Sequence, residues 1–527
     1  MQAHEGVCVS HAFMGCSKCM KEKKQATPGN KTQVTPDNNK LNNKQGAPED
    51  DSRGNPFKVI FIAVGVLFAL SFVPWGKITG NFLKDYDLLE DLTDNRVHEA
   101  GGGELIDPEL ESVLAGMTDD EAPAAAATGD KTASDSSGLA TVTAVTVVAT
   151  DSVIPEVNPR RGETVLIEDY TPVRTGLGRF VAAVNDPQRV ARIAMIGDSY
   201  IEGDVFSQNI REGLQELYGG RGVGFMALHS DIPGFRQSVR QTDNGWTLHD
   251  LRKDKGKNGR WLGGVYAVGE PGAKATFKGV SKLNHASGWS RATLLFIAPQ
   301  GGEIAVDAGD GAKSYTAEAS DEVQAVTVEG EMSSVKINNI SAPGLAALGL
   351  WLEDGKGVGL DCMSLRGNSG VALRKLDPEL AGGMRRYVDY DLIVVEYGLN
   401  ALSSQQTDYS SYGKVMEQVV RGIIANYPNA DILIMGVGDR GQKAGSEVHS
   451  IAAVQSMVNE QRALARRLGV LFWDTREAMG GVDAVVDWRK QGLINADYIH
   501  LNHKGGAELA ARLVRSLSEG ISGNLYR

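Results

Sequence analysis

The sequence predicts an α/β protein whose parallel sheet is covered on both sides, interrupted by an all-β insertion and preceded by a single membrane-spanning helix. Three observations predict it. Hydrophobic strands alternate with helical stretches through the C-terminal part of the chain. After the first of these units, helical periodicity gives way to short alternating runs bounded by Gly, Pro, Asn and Asp. Near the N-terminus, an apolar run approaches the ~20 residues that cross a bilayer as a helix.

The apolar run is "FKVIFIAVGVLFALSFVPW", Phe57 to Trp75, broken only by Lys58 and Ser71. Trp75, Lys58 and Lys77 suit the two interfaces. Lys18, Lys21, Lys23, Lys24, Lys31, Lys40, Lys44 and Arg53 precede the run, whereas Asp85, Asp87, Glu90, Asp91 and Asp94 follow it. The positive-inside rule then places the N-terminus in the cytoplasm and the C-terminal bulk outside, at a cell (inner) membrane. The expected organisation is a disordered cytoplasmic tail (1–56), the span (57–76), and a juxtamembrane segment with a flexible linker (77–160). A two-part α/β domain (161–221 and 357–527) surrounds the inserted β-domain (222–356). The linker is read from a stretch without aromatics or periodicity, typified by "APAAAATGDKTASDSSG", running from about Gly101 to Glu156.

The 527 residues suggest two or three domains plus extras, and a formal net charge of -12 excludes a generic nucleic-acid binder. The N-terminal Cys16 and Cys19 form Cys-x-x-Cys, with Cys8, His4 and His11 nearby. That set can bind zinc or stand as reduced cytosolic thiols with no site, and no metal is assigned to it. Cys362 stands alone, so the large C-terminal part has no disulfide framework.

"RIAMIGDS" reads as a strand buried on both faces that ends in Ser199, followed by a helix with Asp204 as its N-cap and Gly219 and Gly220 at its end. Further strands are read at "GVGLDCMSL", at Tyr390 to Gly398, at Ala430 to Gly438 and at Val470 to Asp474. Helices are read around Tyr412 to Asn426, Ile451 to Leu468 and His503 to Ser518. Functional groups in such sheets lie beyond the carboxyl ends of the strands, and Ser199 sits at such an end. A serine nucleophile needs a base, a group that orients the base, and donors for the oxyanion. Asp497 and His500 lie three apart in "NADYIHLNHKGG", where one loop can carry both. His503, at the start of the last helix, is the competitor for the base role but reads as structural or substrate-facing. Asn400 ends the strand "YDLIVVEYGLN", and Gly370 in "LRGNSG" follows another strand.

In order along the chain, "GDSYIEGD", "RGNSG", "YGLN" and "DYIH" resemble the SGNH or GDSL hydrolase family. The resemblance covers roughly Glu163 to Arg527. It implies a flavodoxin-like, three-layer α/β fold and ester hydrolysis or acyl transfer without a metal or cofactor. Ser199 would be the nucleophile and His500 the base. The oxyanion hole would comprise the N–H groups of Ser199 and Gly370 and the amide of Asn400, with Gly367 the alternative glycine. Ala401 departs from the family's Gly-x-Asn-Asp.

The insertion reads as a β-sandwich or jelly roll. A β-domain at this position is similar to that of the peptidoglycan O-acetylesterases, which carry an inserted carbohydrate-binding-like sandwich. Trp246 and Trp261 lie in polar, Gly-rich surroundings and are candidates for touching a glycan, whereas Trp351 reads as core. These expectations add up to an anchored, extracytoplasmic serine esterase acting on O-acyl groups of a cell-envelope polysaccharide such as peptidoglycan. An O-acetyltransferase sharing the acyl-serine intermediate, working with a membrane acyltransferase, is the alternative. A non-catalytic glycan-binding protein is a third reading, opposed by the intact residue set.

Overall fold

The computed structural model describes residues 106–117, 164–254, 256–404 and 406–526, all within the compact unit Asn95–Arg527. The tail, the apolar run, the acidic stretch after it and the N-terminal Cys/His set lie outside the described residues. Among the described residues, no helix is long and apolar enough to cross a membrane, and no His/Cys/Asp/Glu cluster could hold a metal.

The linker is not uniformly irregular. Pro108–Gly116 forms helix α1, capped by Asp107, whose carboxylate accepts the Glu109 N–H. Asp followed by Pro at the first helical position is a start signal, and Leu110 is buried in the main core. The expectation of a tether from Gly101 to Glu156 fails here, because these local signals and one apolar anchor outweigh the composition on either side.

The core sheet holds six strands: β1 (Glu168–Asp169), β2 (Val190–Gly197), β12 (Gly357–Ser364), β13 (Leu392–Glu396), β14 (Asp431–Met435) and β17 (Leu471–Trp473). Their order is β1-β17-β14-β13-β2-β12. The five long-range strands are parallel, but β1 runs antiparallel to β17, so the sheet is mixed rather than purely parallel. Among the described residues, β1 is met on its other side only by a single bridge from Glu168 to Tyr526 near the C-terminus. Numbered along the chain, the parallel strands follow the 2-1-3-4-5 order, with its switch point beside β2. Near-continuous apolar runs fit strands covered on both faces.

Helix α2 (Gly178–Val184) packs near β2. The main covering helices are α3 (Ser207–Tyr218), α5 (Ser410–Asn426), α6 (Ala452–Leu468) and α9 (His503–Ile521), close to the sequence expectation. Asp204 does not cap α3 as expected. It lies one turn earlier with φ 63°, and its buried carboxylate accepts the Ser207 hydroxyl while pairing with Arg211 and Arg236. Sequence reading missed the short helices α4 (Pro378–Arg385), α7 (Thr475–Met479) and α8 (Ala484–Lys490), and the hairpin of β15 (Gly441–Ala444) with β16 (Glu447–Ser450).

Every strand from β3 (Gly222–Met226) to β11 (Leu345–Glu353) belongs to one antiparallel nine-stranded sheet. β11 changes partner midway, pairing first with β5 (Val265–Gly279) and then with β3. All nine β11 residues are buried, because its two faces serve two cores. Leu350 and Leu352 face the core of the insertion, while Trp351 joins the α/β core. The Trp351 indole N–H donates to Asp361 on β12 at 2.6 Å, so the insertion is bonded to the sheet that carries the site.

Candidate active site

Register builds the site first. Gly197 on β2 lies opposite both Ser364 on β12 and Glu396 on β13, so three loops emerge at one level. Gly197 is there for space: a Cβ would lie 2.5 Å from the Glu396 carboxylate and 2.8 Å from its carbonyl oxygen. The chain turns at once, leaving Ser199 half-buried above the sheet.

Ser199 Oγ lies 2.9 Å from His500 Nε2, and His500 Nδ1 lies 2.8 Å from Asp497 Oδ2. The other Asp497 oxygen accepts the N–H groups of Ile499 and His500 at 2.9 and 3.0 Å. One carboxylate therefore shapes its own loop and orients the imidazole. Burial pushes the Asp497 carboxyl up, but His500 and the two N–H groups outweigh it and hold it below the usual range. Tyr498, between the two residues, has φ 58°. His503 has another partner, Gln208 Nε2 at 3.1 Å from its Nδ1. Burial and Lys282 push its pKa down.

On the other side of Ser199 lie the oxyanion candidates. The Ser199 N–H has no acceptor among the described residues and is free to meet a developing charge. Gly370 does not fit its expected role: its N–H donates to Asn368 Oδ1 at 2.9 Å, and the residue is buried against Met416 and Tyr397. Gly367 fits better. It stands half-buried at φ 72° with no acceptor for its N–H among the described residues, and a Cβ there would meet only Arg252, at 3.9 Å. Asn400 is at the expected strand end. Its amide nitrogen donates to Asp198 Oδ2 at 2.8 Å and, more loosely, to the Asn368 carbonyl at 3.3 Å. Only the longer bond must be exchanged for the amide to serve an oxyanion.

A nucleophile, a base, an orienting acid and unpaired N–H donors at one switch point constitute the machinery of acyl transfer from an ester. Residues 344–507 match the model of the GDSL-like lipase/acylhydrolase family. The site is that of an SGNH-type serine ester hydrolase, and residues 344–507 carry that family's pattern. The matched span holds Asn400, Asp497 and His500 but begins beyond Ser199, which only the fold brings to them. A solved structure described as a peptidoglycan O-acetylesterase in action is similar over 68% of this chain and 99% of its own, at 22% identity and a TM-score of 0.57. A family two carbohydrate esterase from Cellvibrio japonicus is matched over 54% of this chain and 98% of its own, at 14% identity and a TM-score of 0.24. A search of curated proteins returns no match.

Two buried acids lie beneath the hydrolase's serine. Burial pushes the Asp198 carboxyl up to about 6, against the opposing pull of the Tyr200 N–H, His500 and Asn400. Burial and Asp198 hold Glu396 well above the carboxylate range. No sequence argument singled out either residue, although Asp198 stands inside the motif itself.

A cavity of about 420 Å³ adjoins the serine turn, lined by Glu202, Gly203, His229, Ile232 and Arg366 among others. Ile232 and the neighbouring Phe235 are exposed, and the Phe235 ring lies 6.0 Å from that of His503. A larger groove of about 900 Å³ runs between the insertion and α4, and holds none of the catalytic candidates. Trp246 and Trp261 do not touch a glycan surface: they are 5% and 1% exposed. Trp261 packs against Phe225 and Trp351 and donates to the Val265 carbonyl at 2.8 Å. Polar neighbours in sequence mislead here: Trp246 lies on the strand Val239–Asp250, where adjacent residues face opposite ways, and Trp261 turns inward from a bend before β5.

Proposed function

We propose that this hydrolase removes O-acyl groups, O-acetyl above all, from a cell-envelope polysaccharide such as peptidoglycan. The observation that carries the reading is the unbroken Ser199–His500–Asp497 line, with hydrogen-bond distances of 2.9 and 2.8 Å, at the mouth shared by sheet and insertion. Likeness to the peptidoglycan O-acetylesterase structure supports the polymer, and the apolar run 57–76 with its charge asymmetry supports an anchored protein facing outward.

The chemistry follows from the geometry. Ser199 Oγ attacks the ester carbonyl carbon while its proton passes to His500 Nε2. The carbonyl oxygen gains charge and is met by the Ser199 N–H, with the Gly367 N–H and the Asn400 amide as further donors. The intermediate collapses, the sugar oxygen leaves with the His500 proton, and an acyl-serine remains. A water then attacks the acyl carbon, gives a proton to His500, and the carboxylic acid departs as that proton returns to Ser199. Throughout, Asp497 stabilises the imidazolium and stays ionised.

The test is acetate release from O-acetylated peptidoglycan against acetylated xylan, with Ser199→Ala as control. Release from peptidoglycan, lost in the variant, is expected. Acetyl groups recovered on an added muropeptide rather than as acetate would mean transfer. Failure of a fluorophosphonate to label Ser199 would leave only a glycan-binding role.

A further inference from the structure

We propose that Asp107, far upstream of the hydrolase fold, is a positioning residue that clamps both oxyanion loops. The inference rests on the assignment of Ser199 as nucleophile. The strap containing Asp107 lies in a stretch that composition reads as mere tether, yet Asp107 is 4% exposed. One carboxylate oxygen accepts both the Ser369 N–H at 2.9 Å and the Ser369 hydroxyl at 2.7 Å. The other caps helix α1 through the Glu109 N–H at 3.0 Å. The Asp107 N–H donates to the Asn400 carbonyl oxygen at 2.9 Å. A single residue thus bonds to the Gly367–Gly370 turn and to the Asn400 turn, which have no common strand.

The strap is secured independently of that bond. Leu110 is buried in the main core and Glu109 pairs with Lys375 at 2.8 Å. Holding Ser369 matters because its neighbour Asn368 supplies the carbonyl that restrains the Asn400 amide. Release of the strap would leave Ser199, His500 and Asp497 untouched, since none of their bonds involves it. The expected signature is therefore loss of transition-state stabilisation without loss of base function.

The experiment uses the full chain and 4-nitrophenyl acetate. Removing an oxyanion donor outright costs ~10²–10³ in turnover, and loosening donors should cost less, so Asp107→Ala is expected to lower kcat about tenfold with KM little changed. The shape of the kcat/KM–pH profile should stay as in the wild type. Ser369→Ala keeps the N–H bond and loses only the hydroxyl, so a smaller fall in kcat is expected; it also keeps the question open to test should Asp107→Ala fold poorly. In an Asn400→Ala background, Asp107→Ala should cost clearly less than in the wild type, because part of what it positions is gone. Unchanged kcat in both single variants, or losses that multiply independently in the double variant, would overturn the clamp. Wild-type turnover in Ser199→Ala would instead overturn the nucleophile assignment on which it rests.

Discussion

The two sides of Ser199 are built in opposite ways. On the base side, one loop supplies everything: Asp497 and His500 are three residues apart, and Asp497 also bonds the backbone between them. On the oxyanion side, the loops are held mainly by distant segments. The turn after β12 is held by Asp107 from the strap and by Tyr412 of α5 on the Ser369 carbonyl at 2.9 Å. Arg252 of the insertion donates to the Arg366 carbonyl at 2.7 Å, and Arg366 pairs with Glu202 of the serine turn. The comparison teaches that a proton relay can be carried by one short segment, while an oxyanion hole is a property of the assembled fold. It also gives the insertion a mechanical part in the site without any glycan contact.

The largest effects should fall on the self-contained side. His500→Ala is expected to cut turnover on an activated acetyl ester on the order of 10⁴-fold or more, as for loss of the base in other serine triads. Asp497→Asn keeps the loop acceptor but loses the charge on the imidazole, and is expected to cost about 10³–10⁴. Steady-state kinetics with the melting temperature as control checks both. A tenfold loss or less in Asp497→Asn would break the picture of one carboxylate doing two jobs.

Effects on the oxyanion side should be smaller and spread among residues. Asn400→Ala is expected to cost on the order of 10²–10³ in kcat. The two glycines should separate cleanly. A Cβ at Gly370 would lie 2.9 Å from Met416 and 3.0 Å from Tyr397 at φ 94°, so Gly370→Ala should destabilise the fold by about 1–3 kcal/mol. Gly367 is at φ 72° in open space, so Gly367→Ala should cost only ~1–2 kcal/mol of backbone strain. Its larger effect should appear in kcat. Denaturant midpoints and kinetics on the pair decide which glycine faces the substrate, and a stability loss confined to Gly367→Ala would reverse the assignment.

The same asymmetry governs what the sequence reveals. Ser199, Asp497 and His500 are legible because each sits at a strand or helix boundary with its partner nearby or on a motif. The β2, β13, β14 and β17 strands are legible because strands covered on both faces are continuously apolar. Asp107 is not legible, since its partner Ser369 lies 262 residues away. The resemblance favours Gly370 over Gly367, and nothing in the spacing tells that the Gly370 N–H is already bonded to Asn368. Trp246 and Trp261 are illegible for a related reason: a polar run in the chain does not say which way a strand residue or a bend residue turns its ring.

The smallest effect concerns the acids beneath each side. Asp497 lies below the ordinary carboxylate range, so its contribution to stability is present above about pH 4, the unfolded value, and is lost as pH falls through the folded one. Asp198, raised to about 6, and Glu396, raised well above the ordinary carboxylate range, have the opposite sign. Between about pH 4 and those values the folded protein holds more protons than the unfolded chain, so stability falls as pH rises through this window. Glu396→Gln keeps an oxygen for the Asp198 N–H, which lies 3.3 Å from the Glu396 carboxylate, and removes the like charge. The variant is expected to melt a few degrees higher than wild type near neutral pH and to converge with it near pH 4. Asp361, also raised to about 6 by burial and Glu353, contributes a decline that both proteins retain, so the difference between the two curves isolates the pair under the serine. Curves that run parallel from pH 4 to 8 would show that the oxyanion side does not rest on a protonated acid.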